Sequence, residues 1–210
     1  SFDVKTGFPL FGSTRIIVVG LPALIRFEND LIHSLGNEKA FLIMSRFGYE
    51  VGMAEALNIT SQYNFDTPQE ALRAITSLQT MAGWARLELT NVALNMDKKT
   101  LTLSVTCRDS FEAMLWKERG GISKEPVCHL LAGTLSGYAS AIVGTEILVT
   151  EVACQAQDHE FCTFEGRSLQ EWGLDDHTFR RKFSLANLDE ELMRLKNKLE
   201  QTNADLVSKN

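Results

Sequence analysis

The chain has 210 residues, 44% of them hydrophobic and 23% charged, enough for one globular domain with a real core plus a short appendage. Its formal net charge of −6 argues against a broad phosphate-binding surface, which needs clustered Lys and Arg, so no direct nucleic-acid contact is expected from this segment. No apolar run approaches the ~20 residues of a membrane span, and no cleavage pattern follows Ile16–Val19. A cytoplasmic protein without membrane contact is expected.

Residues 1–22 carry Phe2, Phe8, Pro9, Phe11 and the run Ile16–Val19, too apolar for a free tail, and are expected to form a dimerisation arm. From Pro22, Leu24, Ile25, Leu31, Ile32 and Leu35 recur at helical spacing, with Gly36 as the stop. A second helix is predicted over Asn37–Ala56, where Gly48 and Gly52, four apart, allow another helix to approach closely. A third begins near Thr67, with Pro68 at its first position, and ends near Gly83.

The period then changes. Leu87, Leu89, Val92 and Leu94, a polar turn at Asp97-Lys98-Lys99, and the strict alternation Leu101, Leu103, Val105, Cys107 predict a β-hairpin with one buried face. Pro126 opens a small-residue-rich helix to about Val143, which places Cys128 in its first turn. Strands are predicted at Ile147–Val152 and Cys162–Glu165. Finally Leu185, Leu188, Leu192, Leu195, Leu199 and Leu206 follow heptad spacing between charged residues, which predicts a dimeric coiled coil; an amphipathic helix packed on its own domain is the alternative. The expected organisation is an arm (1–22), one domain (23–172) and a linker with a coiled-coil helix (173–210).

Four cysteines in a chain this long do not make a secreted disulfide scaffold, and in a reducing compartment clustered cysteines read as metal ligands. Cys128, Cys154 and Cys162 with Glu151 would fill the closed tetrahedral shell of a structural zinc. On spacing alone His129 and His159 compete with Glu151 for the fourth position, and three incidental buried cysteines are the plainer alternative. Cys107, inside a strand, reads as a core or pocket residue. There is no Gly-rich phosphate loop, no Gly-x-Ser-x-Gly elbow and no His-Glu-x-x-His. Enzymatic chemistry is therefore not expected.

Asp109-Ser-Phe-Glu112, Glu125-Pro-Val-Cys128, Ser136-Gly-Tyr-Ala139, Glu151-Val-Ala-Cys154, Cys162 and Glu171-Trp-Gly173 together resemble the V4R-type effector domain of aromatic-responsive, sigma-54-dependent transcription activators. The resemblance is strongest over about 105–170 and continues loosely upstream. It implies an α+β fold in which helices pack on an antiparallel sheet with a zinc-stapled loop, followed by the coiled-coil helix. It also implies a homodimer, zinc held by Cys128, Glu151, Cys154 and Cys162, and a small aromatic or similarly apolar effector near the metal. Effector binding would then control an attached C-terminal ATPase and, through it, a DNA-binding domain, so the chain is expected to be a fragment of a longer activator. Gln79 stands where the phenol sensors carry a histidine, and Cys107 where they carry a tryptophan. With Tyr138, Leu72, Met81, Trp84, Val105, Phe111 and Ala132, these residues are expected to line the effector cavity. The two replacements predict a roomier, less polar cavity that favours bulkier aromatics over phenol. The alternative is an enzyme or accessory protein acting on a hydrocarbon or tetrapyrrole.

Overall fold

The computed structural model describes residues 7–12, 14–119 and 121–175, together with Phe179, Phe183, Met193, residues 196–198 and residues 200–201. The heptad leucines from Leu185 to Leu206 lie outside the described residues. A short hairpin (β1, Leu10–Phe11; β2, Thr14–Arg15) leads into three helices, α1 (Leu21–Leu35), α2 (Asn37–Gln62) and α3 (Pro68–Met81). β3 (Arg86–Asn95), β4 (Thr100–Arg108), α4 (Phe111–Glu118), α5 (His129–Val143), β5 (Ile147–Ala153), β6 (Cys162–Ser168) and α6 (Leu169–Trp172) follow. This is the mixed helical and antiparallel architecture expected.

Helix ends follow local chemistry. Gly36, at φ 80°, separates α1 from α2, and the Thr67 hydroxyl accepts from the Glu70 amide to open α3. Two helix boundaries and one whole helix differ from the sequence reading. α2 runs to Gln62 rather than Ala56, because Leu57–Gln62 contain no glycine or proline and Ile59 is buried. α5 starts at His129, which makes Cys128 its N-cap rather than a first-turn residue. α4 was not expected; Ser110 caps it by accepting from the Ala113 amide.

The four strands run antiparallel in the order β3-β4-β6-β5. Leu101, Leu103, Val105 and Cys107 of β4 all turn inward, as their alternation predicts. Register places Cys107 opposite Cys162, Val105 opposite Phe164 and Leu103 opposite Gly166. Gly166 has no room for a side chain, since a Cβ would lie 2.8 Å from Val149 and 2.9 Å from Leu103.

α5 fills the middle of the molecule, its Leu131, Leu135, Tyr138 and Ala139 in one core cluster with the inward sheet residues. It also secures β5: the Val149 amide donates to Ser136 Oγ and the Ile147 amide to Ser140 Oγ, both at 2.9 Å. On its other side α5 meets α2 backbone to backbone. A Cβ on Gly48 would lie 2.1 Å from the Leu130 carbonyl oxygen, and one on Gly52 would lie 2.0 Å from that of Thr134. Reciprocally, a Cβ on Gly133 or Gly137 would meet the carbonyls of Ser45 (2.1 Å) or Tyr49 (1.9 Å). The close approach expected of Gly48 and Gly52 is thus made by α5.

Just beyond α6, Phe179 and Phe183 pack on Tyr49 of α2, with ring centroids 5.7 and 4.7 Å away. Leu148, Leu169 and Trp172 complete this cluster. In the N-terminal arm, Asn58 Nδ2 donates to the Phe11 carbonyl, while Ile17, Val18 and Val19 are 82%, 79% and 59% exposed.

Candidate metal centre and effector site

Four turns of chain converge at one end of the sheet. Cys128 caps α5. Glu151 precedes an irregularity in β5 between Glu151 and Ala153. Cys154 caps a single 3₁₀ turn (Gln155–Gln157) that closes at Asp158 with φ 69°, and Cys162 begins β6. The sulfurs lie 3.7 Å (Cys128–Cys162), 3.8 Å (Cys154–Cys162) and 3.9 Å (Cys128–Cys154) apart. Four ligand atoms, one from each of these cysteines and one from Glu151, fall within 4.8 Å of one another. Tetrahedral zinc with Zn–S bonds of ~2.3 Å requires sulfur separations of about 3.8 Å.

The donors are buried and prepared for a cation. Each of the three cysteines is at most 1% exposed. Glu151 Oε2 accepts from the Cys128 amide at 2.8 Å, whereas Oε1 is buried without a hydrogen-bond partner among the described residues. Burial, with the Cys162 charge adding to it, pushes the Glu151 carboxyl up to about 8. Burial and neighbouring negative groups likewise push the Cys128 thiol up. Such a set cannot ionise together unless a positive ion offsets it. The Gln155 amide points at Cys162 Sγ (3.2 Å) and the Ala156 amide at Cys154 Sγ (3.4 Å), as suits thiolates. The cluster can therefore hold a metal ion.

Neither histidine joins it. The His129 ring stacks on Phe41 at 4.1 Å, and His159 is exposed. Cys107 is fully buried and faces Cys162 across the β4–β6 pair, outside the four-residue set.

The structure gives roles to residues that the sequence singled out only as a motif. At Asp109 the chain turns from β4 into α4 with φ 55°, and the carboxylate pairs with Arg86. Ser110 Oγ lies 3.1 Å from Cys128 Sγ. Glu112, 3% exposed, accepts from the Leu130 (2.8 Å) and Leu131 (3.0 Å) amides and so closes the N-terminus of α5. An acid two residues after the N-cap Ser110 was the available signal, but its partners lie 18 and 19 residues away.

Of the expected effector residues, Leu72, Val105, Cys107, Ala132 and Tyr138 are buried in the main core cluster, and Trp84 packs against it. Phe111 belongs to a second cluster with Met44, Leu115 and Leu130, reached through an edge-to-face contact with Trp84 at 6.0 Å. Met81 is a correction: it is 81% exposed. The buried face of α3 runs through Ala71, Leu72, Ile75 and Gln79, and two residues past Gln79 the helix has turned Met81 to solvent. Gln79 is fully buried and donates through Nε2 to Glu55 of α2 at 2.6 Å, a partner the sequence reading missed. A groove of 310 Å³ along α1 and α4, lined by Asn29, Ile32, Asn37, Trp116, Arg119, Gly121 and Ile122, contains none of the expected effector residues.

Known proteins bear on this arrangement. Residues 1–97 match a family described as activator of aromatic catabolism, and residues 103–168 match the V4R domain. The phenol regulator MopR of Acinetobacter guillouiae is 30% identical over 180 residues, which are 85% of this chain and 32% of that protein. The transcriptional regulatory protein XylR of Pseudomonas putida is 27% identical over 172 residues, 82% of this chain and 30% of that protein. The chain thus spans about a third of the length of the curated relatives it matches. Among solved structures, the phenol-responsive sensory domain of the transcription activator PoxR with phenol superposes with a TM-score of 0.77 at 27% identity, covering 82% of this chain and 86% of that one. Among the described residues no helix is long and apolar enough to cross a membrane.

Proposed function

We propose that this chain, whose residues 1–97 match the family described as activator of aromatic catabolism and whose residues 103–168 match the V4R domain, is the effector-sensing region of a transcription activator. It binds a small aromatic molecule and controls an attached ATPase domain rather than carrying out catalysis itself. The observation that carries this reading is the likeness, over 82% of the chain, to a sensory domain solved with phenol. The effector site lies in the layer between α3, α5 and the sheet, around Gln79, Val105, Cys107 and Tyr138, with Leu72, Trp84 and Ala132 as its apolar wall.

The ion is zinc, held by Cys128, Glu151, Cys154 and Cys162. The sulfur spacing, the burial of the donors and the unpartnered Glu151 Oε1 support this choice. With four protein ligands no position is left for water, so zinc supplies cross-linking rather than chemistry. The residues themselves tie the start of α5 (Cys128) to both ends of the β5–β6 connection (Glu151 and Cys154, Cys162). The exposed apolar arm (Ile17, Val18) and the Leu185–Leu206 heptads support a homodimer.

Thermal unfolding of the metal-loaded chain with and without substituted benzenes tests the receptor reading. A ligand present at 100 times its Kd stabilises the folded state by about 2.7 kcal/mol. A raised midpoint with the aromatic recovered unchanged is expected. Absence of stabilisation by every aromatic tried, or conversion of the ligand, would overturn the reading.

A further inference from the structure

The two ends of the Gln79 amide are in opposite situations. Nε2 donates to Glu55 Oε2 at 2.6 Å, whereas Oε1 is buried and has no hydrogen-bond partner among the described residues. A carboxylate can only accept, so the Glu55 contact decides which end of the amide faces α2 and leaves the carbonyl oxygen on the other side. The hydroxyl of Tyr138 is already committed, donating to the Ala71 carbonyl at 2.8 Å. Buried carbonyl oxygens in proteins are nearly always paired, and an orphan within a binding layer calls for a donor from outside the chain.

We propose that Glu55 is a positioning residue that holds the Gln79 carbonyl as a fixed acceptor, so that the effectors taken here are aromatics bearing an O–H or N–H donor. This rests on the effector-sensing reading and narrows it. It also changes the expectation drawn from Gln79 and Cys107: the unpaired Gln79 carbonyl selects hydroxy- and amino-aromatics over hydrocarbons and ethers. Burial pushes the Glu55 carboxyl up to about 7, with the Gln79 bond opposing. Above that pH the carboxylate fixes the amide, and below it a protonated Glu55 can donate to Oε1 and let the amide turn.

Calorimetry on the metal-loaded chain at pH 8.5, with phenol, aniline, toluene and anisole as probes of near-equal size, tests this. Phenol and aniline are expected to bind roughly tenfold tighter than toluene and anisole, the effect of one net hydrogen bond. Gln79→Leu should erase that gap while toluene still binds. Glu55→Gln, whose amide can donate or accept, should narrow it by letting anisole gain. Equal binding of all four probes by the unaltered chain, or a gap that survives Gln79→Leu, overturns the inference and leaves the receptor reading standing. If none of the four binds, the aromatic-receptor reading falls, and this inference with it.

Discussion

Ser110 Oγ sits 3.1 Å from Cys128 Sγ while also capping α4 through the Ala113 amide. One hydroxyl thus serves a helix start and a sulfur of the cluster that could hold a metal ion. Ser110→Ala is expected to cost about 1 kcal/mol as a lost cap and to weaken metal binding 10–100-fold, the range typical of groups that support metal ligands. Competition with a chelator of known affinity measures the second effect. Unchanged affinity would show that the hydroxyl serves α4 alone.

Cys154→Ala removes one of the four donors proposed for zinc and should yield chain without stoichiometric metal and with strongly reduced stability, since structural zinc can contribute ~10 kcal/mol of apparent binding energy. Cys107→Ala, outside the set, should keep one metal per chain. Elemental analysis of the two purified variants decides between these outcomes.

Gly52→Ala would drive a Cβ to within 2.0 Å of the Thr134 carbonyl oxygen, a backbone atom that cannot rotate aside. A loss of about 3 kcal/mol or more is expected from denaturant unfolding. Gly121→Ala, with nothing within 4 Å of the added carbon, should be nearly neutral.

Burial raises Glu55 from an ordinary 4.5 to about 7, with Gln79 opposing; burial also raises the Tyr138 phenol, and the Glu55 charge adds to it. Between those two values the folded chain binds more protons than the unfolded one. The stability contributed by the neutral carboxyl is therefore complete below 4.5 and is lost as pH rises toward 7. Glu28 and Glu112, also raised by burial, act in the same direction. Subtracting the unfolding midpoints of Glu55→Gln from those of the unaltered chain should leave a difference that falls across this window. A flat difference would mean that Glu55 titrates normally.

The heptads predict that the full chain is a dimer, and that removing the residues after Ser184 weakens it while keeping the Phe179 and Phe183 contacts to Tyr49. Light scattering at micromolar concentration measures both species. A full-length species of 23.5 kDa would remove the coiled coil as a dimerisation element.

Much of this was legible because local chemistry fixes it. Alternation set the inward face of β4, Gly36 and Thr67-Pro68 set helix ends, and Gly48 and Gly52 announced a close helix contact without naming the partner. The cluster that could hold a metal ion was readable as three cysteines and a carboxylate, although spacing alone left His129 and His159 in contention until the fold placed them elsewhere. What stayed hidden depends on long-range packing. Glu55 looks like one more surface acid on α2, and its hydrogen-bond partner Gln79 lies 24 residues later in the chain. Glu112 caps a helix that starts after an intervening loop. Met81 stands apart from the other expected residues because a helix turns by about 200° over two residues, which carries it from the buried face at Gln79 to solvent.

The boundary between the two matched regions, 1–97 and 103–168, falls at the hairpin tip formed by residues 96–99, with β3 on one side and β4 on the other. Yet the glycine contacts of α2 with α5 cross that boundary, and so does the Glu55–Gln79–Tyr138 layer. Recombination between relatives at the hairpin tip would therefore cut through one folding unit. Chimeras joined there should assemble only when the incoming partner supplies small residues at the positions of Gly133 and Gly137, which face the Ser45 and Tyr49 carbonyls of α2. Shuffling of effector preference is thereby confined to sequences that share the α2–α5 crossing.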